Sequence, residues 1–150
     1  NEREDSACAV FSPLIREILK NMPEIISTKT APAAIGPYNQ AVKAGNVVFC
    51  SGQIGLVPET GELAQGLEAQ VRQAFTNLTE VVSAAGGTFS DVVKFTLFVT
   101  DMTQFGLVNA VMKEYVKDPY PARSCVEVSA LPKSALFEVE AIAVIKEMSF

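Results

Sequence analysis

The residues best suited to chemistry lie near the end of the chain, in the segment PYPARSCVEVSALPKSALFEVEAIAV at residues 119–144. Its pattern predicts two strands, yet Arg123, Glu127, Glu138 and Glu140 stand among aliphatic side chains. A guanidinium can hold a carboxylate through two parallel hydrogen bonds, and a nearby glutamate can manage water or a proton. The alternative is a solvated strand face with an Arg–Glu cross-strand pair, which stabilises little. The sequence alone leaves both interpretations open.

Strand alternation sorts these residues by side. In the first closing strand, one side is shared by Arg123, Cys125 and Glu127. In the second, one side is shared by Leu136, Glu138, Glu140 and Ile142. Arg123 also follows Pro121, whose ring fixes the backbone just ahead of it. This placement suits a preorganised carboxylate clamp.

Histidine is absent from all 150 residues. Its absence excludes Ser-His-Asp and Cys-His nucleophilic machinery, the usual zinc sites and histidine acid–base chemistry. The glycine-containing stretches SGQIG and AAGG also lack the spacing of phosphate-binding loops. Any catalysis must therefore use carboxylates, Arg, Lys, Tyr, backbone groups and water.

Composition narrows the partners and the compartment. The net charge is −5 with no run of Lys or Arg, so we do not expect nucleic acid as the main partner. An odd number of cysteines (three) without a CxxC motif favours a reducing, cytoplasmic setting. No apolar stretch approaches the length of a membrane span. The glycosylation-type triplet at Asn77 lies inside a helical pattern, and we interpret it as chance.

The elements that position these residues divide the chain into an extension, residues 1–21, and a domain, residues 22–150. Within the extension, Ser12 and Pro13 predict a helix start, with an apolar face from Leu14 to Leu19. Met22 can be the natural start, with the preceding residues as an extension or an artificial remnant. The alternative is an appended helix that packs on a partner subunit.

The domain pattern predicts strands in EIIST and in YNQAVKAGNVVFCSGQI, with a turn at Gly45–Asn46. A long amphipathic helix follows and ends at Gly86–Gly87. Its apolar positions are Leu67, Val71, Ala74, Phe75, Leu78, Val82 and Ala85. The strand DVVKFTLFVT comes next, with Val93, Phe95, Leu97 and Val99 expected on one face. Asp101 and Gln104 form a capping-box pattern ahead of a second helix.

This order of elements predicts an α+β fold, with a mixed six-stranded sheet and two helices on one face. The opposite face would carry many apolar residues. Since solvent would leave them as a large exposed patch, we expect an oligomer.

The motifs APAAIGPYNQAV, SGQIG, PETGEL, DVVKFTLFVTDM, PARSCVEVSALPK and FEVEAIAV, spread over residues 27–144, closely resemble the YjgF/RidA family of reactive-intermediate deaminases. The resemblance implies a chorismate-mutase-like fold assembled as a homotrimer, with sites between subunits. It also implies hydrolysis of enamine and imine intermediates, namely 2-aminoacrylate, 2-iminopropanoate and 2-iminobutanoate, to 2-keto acids and ammonia. Such an activity serves metabolite damage control.

The resemblance also assigns roles. Arg123 of PARS would bind the substrate carboxylate, and Glu138 of FEVE would orient and activate water. The other substrate-binding positions would be Tyr38, from a neighbouring subunit, together with Ser51, Gly52, Asn109, Tyr120 and Cys125. Because an imine needs only a fixed carboxylate, a delivered water and proton handling, residues of this kind suffice, and we expect no metal and no cofactor.

Each position has a plain structural alternative. Tyr38 can anchor a strand start, Ser51–Gly52 can form a bulge, and Asn109 can brace its helix. Cys125 can be a packing residue, since no base accompanies it. Glu127 and Glu140 are interpreted as structural or solvated.

Two other functions remain open at this point. One is a non-enzymatic trimer that binds keto acids in the same cleft for regulation. The other is an endoribonuclease or translation inhibitor, an activity also associated with the family, which the acidic charge and the missing histidine disfavour.

Overall fold

The computed structural model describes residues 12–146, so Cys8 and the first eleven residues of the predicted extension lie outside the described residues. The helices of this range are α1 (Pro13–Lys20), α2 (Leu67–Ala84) and α3 (Phe105–Tyr115). The strands are β1 (Glu24–Ile26), β2 (Ala41–Ala44), β3 (Val47–Ile54), β4 (Val92–Val99), β5 (Ala122–Glu127) and β6 (Phe137–Val144).

The six strands form one sheet in the order β1-β2-β3-β6-β4-β5. All neighbours are antiparallel except β4 and β5, which run parallel. A parallel pair needs a crossover connection, and α3 supplies it between β4 and β5. The mixed six-stranded sheet is confirmed, and β5, which carries Arg123, is one of its edge strands.

Both long helices cover one face of the sheet. The fully buried ring of Phe75 in α2 contacts Phe95 of β4 at 6.1 Å, Phe137 of β6 at 5.7 Å and Tyr115 of α3 at 5.4 Å between ring centroids. Burial of these large apolar side chains is the main favourable contribution to folding. We call the covered side of the sheet the helix side and the other the open side.

The prediction for β4 is wrong at one residue. Phe95, Leu97 and Val99 are buried on the helix side as expected, but Val93 is 47% exposed and Val92 is buried instead. The pairing with β6 shifts between Val92 and Lys94, which is the signature of a β-bulge. The extra residue reverses the alternation at the start of the strand.

The capping-box prediction holds only in part. Asp101 caps a short 3₁₀ turn (Met102–Gln104) that leads into α3, and its Oδ1 accepts a hydrogen bond from the Thr103 backbone at 3.0 Å. Glu127 Oε1 accepts another from the Met102 backbone at 2.9 Å. Glu127 is therefore structural, since it satisfies a donor at the start of a helix.

The open side is mixed rather than uniformly apolar. It presents Phe49, 50% exposed, and Val126, but a polar row crosses it at the centre. That row includes Lys94, which donates to Ser124 Oγ at 2.8 Å, and Glu140, which pairs with Thr96. The expectation of a large apolar patch is confirmed only in part.

The predicted helix of the extension is present as α1. Ser12 Oγ accepts from the Ile15 backbone at 3.4 Å, as an N-cap residue does. The predicted apolar residues Leu14, Ile15, Ile18 and Leu19 are all exposed. Within residues 12–146, no helix has the length and apolar character needed to span a membrane.

Candidate functional site

The candidate site residues separate into two clefts on one protomer. The Arg123 cleft is lined by Asn109, Met112, Lys113, Val116, Tyr120, Pro121 and Arg123. The Glu138 cleft is lined by Pro32, Ala33, Ile35, Tyr38, Ser51, Gly52, Gln53, Ile54, Leu56, Pro132, Lys133, Glu138 and Glu140. Every predicted site residue except Cys125 thus lines one cleft or the other.

The guanidinium of Arg123 is seated on one face of α3. Its Nη1 donates to Asn109 Oδ1 and lies 3.6 Å from the sulfur of Met112, and its carbon stands 5.1 Å from the centroid of the Phe105 ring. Cation–π and hydrogen-bond contacts of this kind hold the planar group in a fixed orientation. Because Asn109 satisfies only part of its five donors, the others can bind a carboxylate.

The structural alternative for Arg123, a cross-strand pair with a glutamate, does not occur among residues 12–146. The ion pairs found there join Arg72 to Glu68 and to Glu114, on the outer surface of the helices. Arg123 instead contacts a neutral amide, a thioether and an aromatic ring. A charged group with neutral neighbours in a cleft is suited to an anionic ligand.

Cys125 lies on the same side of β5 as Arg123 and packs partly against the core. Burial raises the pKa of its thiol, while the charge of Arg123 acts in the opposite direction. A raised pKa keeps the sulfur in the thiol form near neutral pH, which is a poor nucleophile. The packing interpretation of Cys125 therefore agrees with its surroundings.

In the second cleft, the carboxylate of Glu138 lies directly over the backbone of Gly52. A Cβ built on Gly52 would stand 1.9 Å from Glu138 Oε1, far inside contact distance. Glycine is required here for this close approach, not for an unusual backbone angle. Glu138 is placed by its pairing with Ile54 of β3 on one side and Phe98 of β4 on the other.

The stretch Ser51–Gly52 is a bulge, as the structural interpretation expected. The pairing of β3 with β6 shifts between Cys50 and Gln53, so Ser51 and Gly52, which lie between them, leave the regular ladder of hydrogen bonds. Ser51 Oγ donates to the Asn39 carbonyl at 2.6 Å, which fixes the preceding loop. The hydroxyl oxygen keeps lone pairs for accepting a further hydrogen bond.

Tyr38 belongs to that loop and not to a strand, so the predicted strand is too long at its start. β2 begins only at Ala41. The side chain of Gln40 contacts the loop instead, where its Nε2 donates to the Pro32 carbonyl at 2.8 Å. The Tyr38 ring is 48% exposed at the cleft, and its hydroxyl accepts a long bond of 3.5 Å from the Ile35 backbone. The ring is available to another molecule.

The electrostatics of the Glu138 cleft favour a protonated carboxyl over a wider pH range than usual. Burial raises the pKa of Glu138, and the nearby charge of Glu140 raises it further. A carboxyl of this kind can accept and return a proton closer to neutral pH than an ordinary glutamate. It is suited to acid–base work on a bound water.

The two clefts open on opposite sides of the sheet. Arg123 pairs with Phe95, whose side chain is buried on the helix side, whereas Glu138 pairs with Phe98, on the open side. Residues paired in register project to the same side of a sheet. The guanidinium and the carboxylate therefore do not share a cleft within one chain.

Sequence reasoning missed several residues of these clefts. The seat of Arg123 includes Phe105 and Met112, which with Asn109 follow an i, i+4, i+7 spacing that marks one helix face. Lys133 on the rim of the Glu138 cleft adopts a φ of 56°, and no local signal in the sequence indicated this left-handed conformation.

Comparison with known proteins gives one consistent family. Residues 28–145 match the family described as Endoribonuclease L-PSP. The chain is 50% identical over 123 residues to the 2-iminobutanoate/2-iminopropanoate deaminase of Dermatophagoides farinae, covering 81% of this chain and 96% of the relative.

Two solved structures show the same fold. RidA from an Antarctic Psychrobacter is 48% identical with a TM-score of 0.80, covering 81% of this chain and 99% of that one. TdcF of Escherichia coli with bound serine is 45% identical with a TM-score of 0.78, covering 82% and 99%.

Proposed function

The chain belongs to the Endoribonuclease L-PSP family, the YjgF/RidA group, and from this membership we propose that the protein is a 2-iminobutanoate/2-iminopropanoate deaminase. It hydrolyses short 2-imino acids, formed from enamines such as 2-aminoacrylate, to 2-keto acids and ammonia. The observation that carries the assignment to particular residues is the seating of Arg123, whose guanidinium faces a cleft without a described carboxylate partner.

Arg123 binds the carboxylate of the imino acid through two parallel hydrogen bonds. Asn109, Met112 and Phe105 hold the guanidinium in place before the substrate arrives, so little ordering is needed on binding. Serine bound to TdcF, a relative of this chain, supports a ligand that carries an amino-acid carboxylate. Tyr120, 62% exposed at the rim of the same cleft, contributes a wall.

Glu138 orients the attacking water and transfers the protons. Water adds to the imine carbon while its proton passes to the Glu138 carboxylate, which gives a tetrahedral carbinolamine. Glu138 then returns the proton to nitrogen and the carbon–nitrogen bond breaks. Ammonia leaves as the hydroxyl gives its remaining proton to the Glu138 carboxylate and the keto group forms; that proton then passes to ammonia, which is released as ammonium. A protonated imine is already a good electrophile, so positioning supplies much of the acceleration.

The complete site forms between two subunits of a homotrimer. Arg123 and its α3 neighbours come from one subunit, and Glu138 with Tyr38, Ser51 and Gly52 comes from the next. The placement of the two clefts on opposite sides of the sheet supports this arrangement. The half-exposed rings of Tyr38 and Phe49 also support it, since a neighbouring subunit would cover them.

We place the enzyme in the cytoplasm, where Cys50 and Cys125 would remain as the free thiols found here. The RNA cleavage named in the family description is not favoured, because the chain carries a net charge of −5 and lacks histidine. Binding of a keto acid without turnover is the competing role, and a direct assay separates it from catalysis.

The assay generates 2-aminoacrylate with a serine dehydratase and follows the appearance of pyruvate. We expect the full chain to accelerate the release of pyruvate, and the Arg123→Ala variant to lose most of that acceleration. Equal rates of pyruvate release with and without the wild-type protein, together with saturable binding of pyruvate, would show that the protein binds keto acids and does not catalyse the reaction.

A further inference from the structure

The long helix α2 carries two buried amide side chains, Gln70 and Asn77. Gln70 is 5% exposed and Asn77 is fully buried. They are seven residues apart, about two helical turns, so both face the sheet. A buried amide destabilises the fold unless it is hydrogen-bonded, and the partners of these two converge on one place.

Asn77 fixes the end of β3. Its Nδ2 donates to the carbonyl of Ile54 at 3.2 Å and to that of Leu56 at 2.8 Å, while its Oδ1 accepts from Gln73 at 2.8 Å. The triplet that resembles a glycosylation sequence is thus closed to modification in the folded chain, as its helical pattern indicated. The side chain of Asn77 instead joins α2 to the end of β3 through hydrogen bonds.

Gln70 fixes the start of β6. Its Oε1 accepts from the backbone of Leu136 at 2.9 Å. The helix backbone also comes close to the chain just after β3 ends at Ile54, because a Cβ built on Gly55 would stand 2.6 Å from the Cα of Gln70. This close backbone approach leaves little freedom for the helix to slide past the end of the strand.

The backbone positions that these two amides hold lie next to Glu138 in the sheet. Ile54, held by Asn77, is its partner across the strands, and Leu136, held by Gln70, precedes it by two residues. Gly52, under its carboxylate, lies two residues before Ile54. We infer that Gln70 and Asn77 are positioning residues for the reaction, which set the height and angle of the Glu138 carboxylate over Gly52.

This inference rests on the proposed function for its effect on the rate, but the geometry can be tested separately. A merely structural pair of amides would lower the melting temperature on substitution and leave the environment of Glu138 unchanged. A positioning pair would alter that environment. The other charged residues that line the same cleft are Glu140 and Lys133, and neither is substituted in the variants below.

The first test measures turnover in the full chain carrying Gln70→Met, which keeps the shape but removes the acceptor. We expect kcat to fall about 10-fold or more with KM within about twofold, because Arg123 in the other cleft still binds the carboxylate. Gln70→Glu keeps an oxygen to accept from Leu136, and we expect it to recover part of the loss. Val82→Ala, a buried apolar truncation on the same helix, is the control for lost stability.

The second test follows the Glu138 carboxyl by carbon-13 NMR titration, with the signal assigned by its loss in Glu138→Gln. We expect Gln70→Met to bring the pKa of Glu138 down towards the ordinary value, since a loosened strand admits water. Asn77→Ala should act in the same direction, so the inference can still be tested if Gln70→Met does not fold.

The outcomes are distinguishable. A wild-type chain without deaminase activity would reject the proposed function, and the titration would still judge the positioning role. If Gln70→Met and Asn77→Ala behave like Val82→Ala, with unchanged kcat and unchanged Glu138 titration, the two amides are structural only and the inference is wrong.

Discussion

Arg123 and Glu138 project from neighbouring parts of one sheet to its opposite sides. Arg123 pairs with the buried Phe95, and Glu138 pairs with Phe98, three residues along the same strand β4. Each residue lines its own cleft, with its own supporting neighbours. A reaction that needs both groups therefore needs two chains, and this requirement links the proposed chemistry to assembly.

Removal of the guanidinium tests the carboxylate clamp. We expect Arg123→Ala to lower kcat/KM roughly 100-fold, because a charged hydrogen-bonded contact with the substrate is lost. Arg123→Lys should recover little, since an ammonium cannot bind a carboxylate through two parallel bonds. Arg72→Ala is the matched control: its exposed ion pairs with Glu68 and Glu114 lie on the helix surface, and its kcat/KM should stay within about twofold. Comparable losses in Arg72→Ala and Arg123→Ala would argue against the clamp.

The pH profile tests the role of Glu138 as the base. Burial and Glu140 raise its pKa, so the rate should fall on acidification at a pH above the ordinary glutamate value. Glu140→Gln removes the smaller of the two causes, and we expect the acid limb of kcat/KM to move to lower pH. The exposed Glu59→Gln should leave the limb unmoved. An acid limb that is identical in wild type and Glu140→Gln would contradict the assignment.

The same raised pKa predicts an effect on stability. A carboxyl whose pKa is higher in the folded chain favours folding below the unfolded pKa, and that contribution disappears as the pH rises through the folded pKa. Above that folded pKa, the ionised Glu138 therefore destabilises the fold. We expect Glu138→Gln to be inactive yet to melt at a higher temperature than wild type at pH 7, with the difference closing as the pH approaches about 4. A lower melting temperature at pH 7 would show that Glu138 is not a destabilised carboxylate.

The close approach of Gly52 to Glu138 predicts a steric effect. In Gly52→Ala the new methyl group would stand 1.9 Å from the present position of Glu138 Oε1 and displace the carboxylate, so we expect a loss of about 100-fold in kcat. Gly106→Ala is the control, since nothing lies within 4 Å of its Cβ position and alanine favours the helix α3. A Gly52→Ala enzyme as active as Gly106→Ala would mean that the Glu138 carboxylate does not act from this position.

The element pattern could be predicted from the sequence because each helix and strand depends on local periodicity and local turn residues. The long helix and its end at Gly86 are examples, since Gly86 has a φ of 93° after α2 ends at Ala84. The failures arise from pairing between distant strands. The bulge at Val93 depends on the pairing with β6, and the loop at Tyr38 depends on contacts near Pro32. Neither contact can be predicted from the local sequence pattern.

The candidate site shows the same division. Alternation showed that Arg123 and Cys125 share one side of a strand, but it could not show which side faces the helices. That choice depends on the parallel pairing of β5 with β4, a contact between residues 28 apart for Phe95 and Arg123. The support from Gln70 and Asn77 was hidden for a related reason, because buried amides on an amphipathic helix look like ordinary polar positions until their partners are known.

The most direct measurement mixes two inactive variants. Arg123→Ala supplies an intact Glu138 cleft and Glu138→Gln supplies an intact Arg123 cleft, so a site shared between subunits is restored wherever the two meet in the right order. After unfolding and joint refolding of equal amounts into a cyclic oligomer, we expect about one quarter of the wild-type activity, because a random arrangement completes about one site in four. Activity that stays at the level of the separate variants, in an oligomer shown to contain both chains, would contradict a site built from Arg123 of one subunit and Glu138 of the next.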